Sequence, residues 1–350
     1  MQPSARVDGR RLTVVSVSYP FAPVGVDPVG GAEQVLAQLD RALAAAGHRS
    51  IVIAPADSVV AGELRPVSTV AGEIDELVRD RVHREVRVRI AEAITRDRPD
   101  VVHLHGIDFP AYLPPPGPPV LTTLHLPLDW YPASALSPSR PRTWLQPVSA
   151  SQARAAPAGA RIDAPIENGV DLRVVAARRR RFALTLGRLC PEKGIDDAIE
   201  AARRAGVPLL IAGAVFPYPA HQDYVRMHIL PRLDADRRWI GAVGGLQKKR
   251  LLSQARCVLV PSKVGETSSL VAMEAIAAGT PVIAYRAGAL PDIVEHGRTG
   301  FVVDDIDAMA AAIGAADRID PATCRRRAAE RFALEKMTRS YLARYAELAG

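Results

Sequence analysis

Short runs of Val, Ile and Leu, each bounded by turn residues, alternate with helix-like stretches along the chain, in two sets that each fill about half of it. Runs such as Val101-Val102-His103-Leu104 and Val258-Leu259-Val260 are too brief for a helix. They are apolar almost throughout, as strands covered on both faces must be. Strands that alternate with helices lie parallel, because each crossover helix returns the chain to the same end of the sheet. Two such sets imply two doubly wound α/β domains with a cleft between them, and 350 residues are enough for both. In open sheets of this kind ligands gather outside the carboxyl ends of the strands.

In the first set the expected strands are 12–17, 50–54, 100–106 and 120–125, with helices over 31–46 and 73–98. In the longer helix Val78, Val82, Val86, Ile90 and Ile94 recur four apart, a stripe that packs on a domain. Residues 18–28 read as a loop punctuated by Pro20, Pro23 and Pro28, and 126–146, rich in Pro, Trp and Tyr, as a loop placed to touch an acceptor. In the second set the strands are 182–186, 207–212, 239–243, 258–261 and 280–284, and the tail 325–348 is helical.

Composition narrows the function classes. Aromatics are only 5% of residues, so aliphatic side chains must build the cores. No apolar run approaches about 18 residues, and residues 1–12 lack the apolar segment of a secretory signal. Cys190, Cys257 and Cys324 are scattered without metal-ligand spacing, which fits a reducing cytoplasm. The net charge of +7 is mostly arginine and suits an anionic partner: nucleic acid, a membrane face or a phosphorylated substrate. The Arg178–Arg181 run carries no interleaved aromatics and reads as a solvated segment, so nucleic acid is not expected.

The stretch 265–305 carries the densest chemistry. After Gly265-Glu266 come Thr267, Ser268 and Ser269, residues of the kind that cap a helix. The run 270–278 favours a helix and Gly279 stops it. The first N–H groups of that helix, at Ser269, Leu270 and Val271, favour an anion such as phosphate. At about 100° per residue, the eight-residue spacing sets Glu274 roughly 80° round from Glu266, so both can border one site. A carboxylate there repels phosphate but accepts hydrogen bonds from hydroxyls beside it. A ligand ordered sugar, diphosphate, ribose, base would suit one carboxylate at each end. The plainer alternative, two solvated acids, fits Glu274 poorly because Val271, Ala272, Ala275, Ile276 and Ala278 surround it.

The sequence E-T-S-S-L-V-A-M-E-A-I-A-A-G-T-P-V-I-A resembles the two-glutamate signature of glycosyltransferase family 4, whose members are retaining, nucleotide-sugar-dependent enzymes of the GT-B fold. The likeness continues through Gly288, Pro291, Glu295, Gly297 and Thr299-Gly300-Phe301. Ser268-Ser269 departs from the Phe-Gly common in the family, which bears on the shape of the donor-sugar pocket. Gly187-Arg188-Leu189-Cys190-Pro191-Glu192-Lys193-Gly194 reads on spacing alone as either an ordinary basic loop or one side of a diphosphate clamp. The resemblance chooses the clamp, with Arg188 and Lys193 neutralising the leaving nucleoside diphosphate.

The resemblance implies further roles. Gly30 and Gly31, otherwise a tight turn before a helix, would face the donor, and His125 rather than His103 or His105 would contact its sugar. Glu266 would hold sugar hydroxyls, Glu274 the ribose, and main-chain groups around Val243 the base. Residues 147–151 and 166–171 resemble the end of the first domain, and the last helix the one that crosses back to it. The expected division is therefore residues 1–172, 173–325 and a terminal helix 326–350. No metal and no cofactor are implied beyond the nucleotide sugar, with UDP or GDP favoured as its base component. The expected reaction is transfer to a hydroxyl acceptor: a glycan, a lipid-linked compound or a small molecule. Expected localisation is cytoplasmic, with peripheral contact at the inner membrane face left open. Two alternatives stand beside it, a nucleotide-sugar epimerase of the same architecture and a catalytically silent sugar-nucleotide binder or scaffold.

Overall fold

The computed structural model describes residues 10–26, 28, 30–175 and 177–350. Residues 1–9, which bear on a leader segment, and Asp27, within the expected 18–28 loop, lie outside them. The chain forms two units, Met1–Glu167 with Glu335–Gly350, and Asn168–Leu334.

In the first unit the order is β1 (Thr13–Val17), α1 (Gly31–Ala45), β2 (Arg49–Pro55), β3 (Glu63–Val67), α2 (Glu76–Asp97), β4 (Val101–Leu104), β5 (Val120–Leu124), β6 (Thr143–Pro147) and α3 (Ala150–Arg154). The strands form one parallel sheet ordered β3-β2-β1-β4-β5-β6. Alternation along β2 shows why its run is apolar throughout. Ile51 and Ile53 pack with Val82, Val86 and Ile90 of α2, while Val52 and Ala54 pack with Leu36 and Ala37 of α1. The stripe read in α2 is thus a core face. Asp75 caps that helix by accepting from the Val78 N–H at 2.8 Å.

Two elements correct the sequence reading. β3 was not expected, because Glu63, Arg65 and Pro66 break any strand-like pattern. It is an edge strand, where charge and proline are tolerated. The segment 126–146 is not all loop: β6 begins at Thr143 and pairs with β5 from Val120 to Leu124.

The terminal helix, Leu334–Ala349, belongs from Glu335 onward to this first unit. Tyr345 reaches His103 Nδ1 at 2.7 Å and Tyr341 reaches Thr123 Oγ1 at 3.0 Å, both tyrosines being fully buried.

The second unit runs β7 (Ala183–Leu186), α4 (Ile195–Arg204), β8 (Leu209–Ala212), α5 (Pro219–Tyr224), β9 (Arg237–Trp239), α6 (Gly245–Gln254), β10 (Cys257–Val260), α7 (Leu270–Ala277), β11 (Val282–Tyr285), α8 (Leu290–Ile293), β12 (Gly300–Val303), α9 (Ile306–Ala315) and α10 (Pro321–Arg331). Its parallel sheet is ordered β12-β11-β10-β7-β8-β9. Counted within each unit, both sheets read 3-2-1-4-5-6, and the order reverses between β1 and β4 in one and between β7 and β10 in the other. The strand expected at 239–243 ends at Trp239, so Ile240 to Val243 lie beyond it.

The tail is two helices rather than one. Ala333 forms an isolated bridge with Val170. The Val170 N–H donates to Phe332 O at 2.8 Å and the Leu334 N–H to Val170 O at 3.0 Å, which takes the backbone out of the helical ladder. The same bridge holds residues 168–172 with the second unit, so the units divide after Glu167 and Leu334 where the sequence suggested 172 and 325. Among the described residues no helix is long and apolar enough to cross a membrane.

Candidate functional site

The two loops at the switch point of the second sheet, after β7 and after β10, are laced together. Residues Pro191–Lys193 make a single tight helical turn that Gly194 closes at φ +59°. A Cβ on Gly194 would stand 2.1 Å from the Pro261 carbonyl oxygen, so only glycine lets the loops approach. The Lys263 N–H then donates to Glu192 O at 2.8 Å.

Across this seam Lys193 Nζ lies 2.5 Å from Glu266 Oε1, and the buried Ser262 hydroxyl donates to the same oxygen. The Glu266 side chain is only 10% exposed, and these two partners satisfy that buried oxygen. Arg188, in the same β7 loop as Lys193, sits with its guanidinium 5.3 Å from the centre of the Phe216 ring.

Helix α7 starts four positions after Glu266, at Leu270. The 100°-per-residue reasoning therefore does not place Glu266, which lies in the loop. Its backbone is fixed from β11's far end instead. The Ala289 N–H donates to Glu266 O at 2.7 Å. At Gly288, φ +55°, a Cβ would come within 2.2 Å of that oxygen. Ser269 caps α7 by accepting from the Ala272 N–H at 3.4 Å, leaving the N–H groups of Leu270 and Val271 at the helix start. Glu274, one turn in, is paired with Lys248 of α6 at 2.9 Å, the two side chains being 13% and 18% exposed. Val243, Leu270 and Val271 all pack against the core built by Ala272 and Met273. Gly187 follows β7 directly, its N–H donating to Ala212 O at 3.0 Å.

The first unit holds the remaining expected residues. Gly30 is the extended residue before α1 and Gly31 the first residue within it. His125 follows β5, and its Nε2 lies 3.0 Å from His105 Nδ1, the rings stacked at 5.3 Å. His103 is a structural group, held by Tyr345 and by Thr123 Oγ1 at 2.8 Å. Burial pushes all three imidazoles down, His125 to about 3. They are thus neutral near pH 7, and the His105–His125 bond has one ring donating and the other accepting.

Residues 173–330 match the family described as Glycosyl transferases group 1, and residues 29–158 match Glycosyltransferase Family 4. The chain belongs to the group 1 glycosyltransferases. It is 29% identical over 333 residues to the phosphatidyl-myo-inositol mannosyltransferase of Mycolicibacterium smegmatis, covering 83% of this chain and 82% of that one. It is 35% identical over 189 residues to the glycogen synthase of Mycobacterium tuberculosis, covering 50% of this chain but only 44% of that protein's length. Its fold is shared with sucrose-phosphate synthase from Thermosynechococcus elongatus, at TM-score 0.78, 21% identity and coverage of 96% and 99% of the two chains. Two doubly wound parallel sheets of this kind are the GT-B architecture.

For this group 1 glycosyltransferase, sequence reading missed the partners rather than the acids. Lys248 sits in the Gln247-Lys248-Lys249-Arg250 run, where nothing but the packing of α6 on α7 distinguishes it from its neighbour. Lys249 turns instead to Asp171 at 2.8 Å. Ser262 and Phe216 carried no motif at all.

Proposed function

We propose that this group 1 glycosyltransferase moves a sugar from a nucleoside diphosphate sugar to a hydroxyl acceptor, with retention at the anomeric carbon and no metal ion in the transfer step. The observation that carries the reading is the laced pair of loops at the second sheet's switch point, with Arg188 and Lys193 on one and Glu266 on the other.

In this reading Arg188, Lys193 and the N–H groups of Leu270 and Val271 face the diphosphate. They offset the negative charge that grows as the bond from the anomeric carbon to the phosphate oxygen breaks, a contribution on the order of several kcal/mol. The acceptor oxygen bonds to the same carbon on the same face, and its proton passes to the departing phosphate oxygen. Glu266, an acceptor of hydrogen bonds when ionised, takes hydroxyls of the sugar, and Glu274, steadied by Lys248, takes hydroxyls of the ribose. Main-chain groups near Val243 meet the base. The relatives are named for a glycan and for an inositol lipid, and the acceptor here is assigned only as a hydroxyl compound.

The test is thermal unfolding against UDP, GDP, ADP and TDP, each with a divalent metal and with a chelator. A nucleotide at 100 times its dissociation constant adds roughly 2.7 kcal/mol to stability. The expected result is a shift with one base that persists in chelator. No shift with any of the four overturns the donor assignment, and a shift only with metal overturns the metal-free step.

A further inference from the structure

Where the β7–α4 loop meets α5, three side chains of different chemistry converge. One ligand atom each from Cys190, Glu192 and His221 lies within 4.8 Å of the other two. Cys190 and Glu192 flank Pro191 in the tight turn, and His221 comes from the first turn of α5. Cys190 is 1% exposed and His221 8%.

What sets the group apart from an ordinary polar cluster is that it is unfinished. His221 Nδ1 and Glu192 Oε2 are both buried without a hydrogen-bond partner. The Cys190 thiol has a long contact, 3.8 Å, to the Arg188 carbonyl oxygen and also neighbours the Glu192 carboxylate. Packing explains where the imidazole lies, edge-on to Tyr218 with ring centres 5.1 Å apart and 6.4 Å from Phe216. It does not explain two buried polar atoms left unmatched in one place, which natural interiors avoid.

We infer that Cys190, Glu192 and His221 form a binding site for a borderline-soft divalent cation of the Zn²⁺ type, tying the β7–α4 loop to α5. A thiolate, an imidazole nitrogen and a carboxylate are the donor set such an ion prefers, whereas Mg²⁺ and Ca²⁺ favour oxygen alone. Bonds of about 2.0–2.3 Å place tetrahedral ligands roughly 3–4 Å apart, so small side-chain turns close the three atoms on an ion. Binding replaces the thiol proton, which leaves to solvent, and gives both unmatched atoms a partner. Three protein ligands leave a fourth position for water. The ion's part is structural: it would brace the turn from which Arg188 and Lys193 project, and the site is independent of whether the chain transfers a sugar.

The experiment uses the full chain, stripped with a chelator, then titrated with Zn²⁺ against a chromophoric competitor and separately with Co²⁺ by absorption. The expected result is one ion per chain, a thiolate-to-cobalt charge-transfer band, and a higher melting temperature with Zn²⁺ and no nucleotide present. Cys190→Ser should abolish the band, and His221→Gln should weaken Zn²⁺ binding by at least about tenfold, with far-UV circular dichroism confirming that both variants are folded. Absence of binding or of the band in the unmodified chain overturns the inference, and this outcome needs no variant. A band that survives Cys190→Ser in folded protein overturns it as well, since the thiolate would then be Cys257 or Cys324.

Discussion

Lys193 and Glu266 are bonded to each other, Nζ to Oε1 at 2.5 Å, although the sequence gives them separate tasks. One was expected on a diphosphate and the other on sugar hydroxyls. Each satisfies the other, with Ser262 as a third member. The pair holds the lysine at the loop seam. On the proposed function, a diphosphate that takes Lys193 would cost part of this ion pair and free Glu266 for hydroxyls.

Gly288→Ala should cripple the site more than the fold. A left-handed residue other than glycine costs about 1–3 kcal/mol, and the added Cβ meets Glu266 O at 2.2 Å, so the Glu266 loop must shift. Urea unfolding should show a loss in that range, and nucleotide binding should weaken by at least tenfold. Unchanged binding would mean that the Glu266 backbone position does not matter.

Lys248→Met keeps the volume and removes the charge beside Glu274. Both side chains are mostly buried, so stability should fall by about 1–3 kcal/mol. Adding Glu274→Gln should return part of that loss in a double-mutant cycle. Additive losses would show that the two residues do not interact.

Tyr345→Phe removes the hydroxyl that meets His103 Nδ1 inside the first unit. An unmatched buried nitrogen costs about 1–3 kcal/mol, to be read from chemical unfolding. A change below about 0.5 kcal/mol would show that this hydroxyl contributes little to holding the terminal helix.

Acid sensitivity should be traceable to Glu63. The Arg49 fork on its carboxylate, 2.7 Å at the closer contact, holds it below the usual carboxylate range, with Arg65 adding to the effect. A lowered folded-state value means stability present above the unfolded value and lost as pH falls through the folded one. Wild-type stability should therefore drop below about pH 4.5 more than that of Glu63→Gln. The side chain is 42% exposed, so the difference should stay under about 1 kcal/mol. Parallel pH profiles of the two proteins would contradict this.

How far the fold was legible depended on whether a signal was local. Buried strands such as Val101–Leu104 and Val282–Tyr285 announce themselves as apolar runs, and α7 by its cap and its stop at Gly279. The edge strand Glu63–Val67 does not, because one open side relaxes its composition. The break at Phe332-Ala333 depends on a bridge to Val170, far away in sequence. The site divides the same way. Arg188, Lys193, Glu266 and Glu274 stand in recognisable motifs, but Lys248, Ser262 and Phe216 are defined only by what packs on what. The helical wheel placed Glu266 wrongly for a related reason: it assumed a helix where the chain needed a loop to reach Lys193.

The most direct measurement of the central claim is turnover of a nucleoside diphosphate sugar, chosen by the nucleotide that stabilises the chain, in wild type and in Arg188→Ala/Glu266→Gln. Release of nucleoside diphosphate is followed with and without candidate hydroxyl acceptors, and the variant's fold is checked by its unfolding curve. The expected result is acceptor-dependent release by the wild type and a loss of at least about 10³-fold in a folded variant. Turnover within tenfold of wild type would contradict the roles given to both residues.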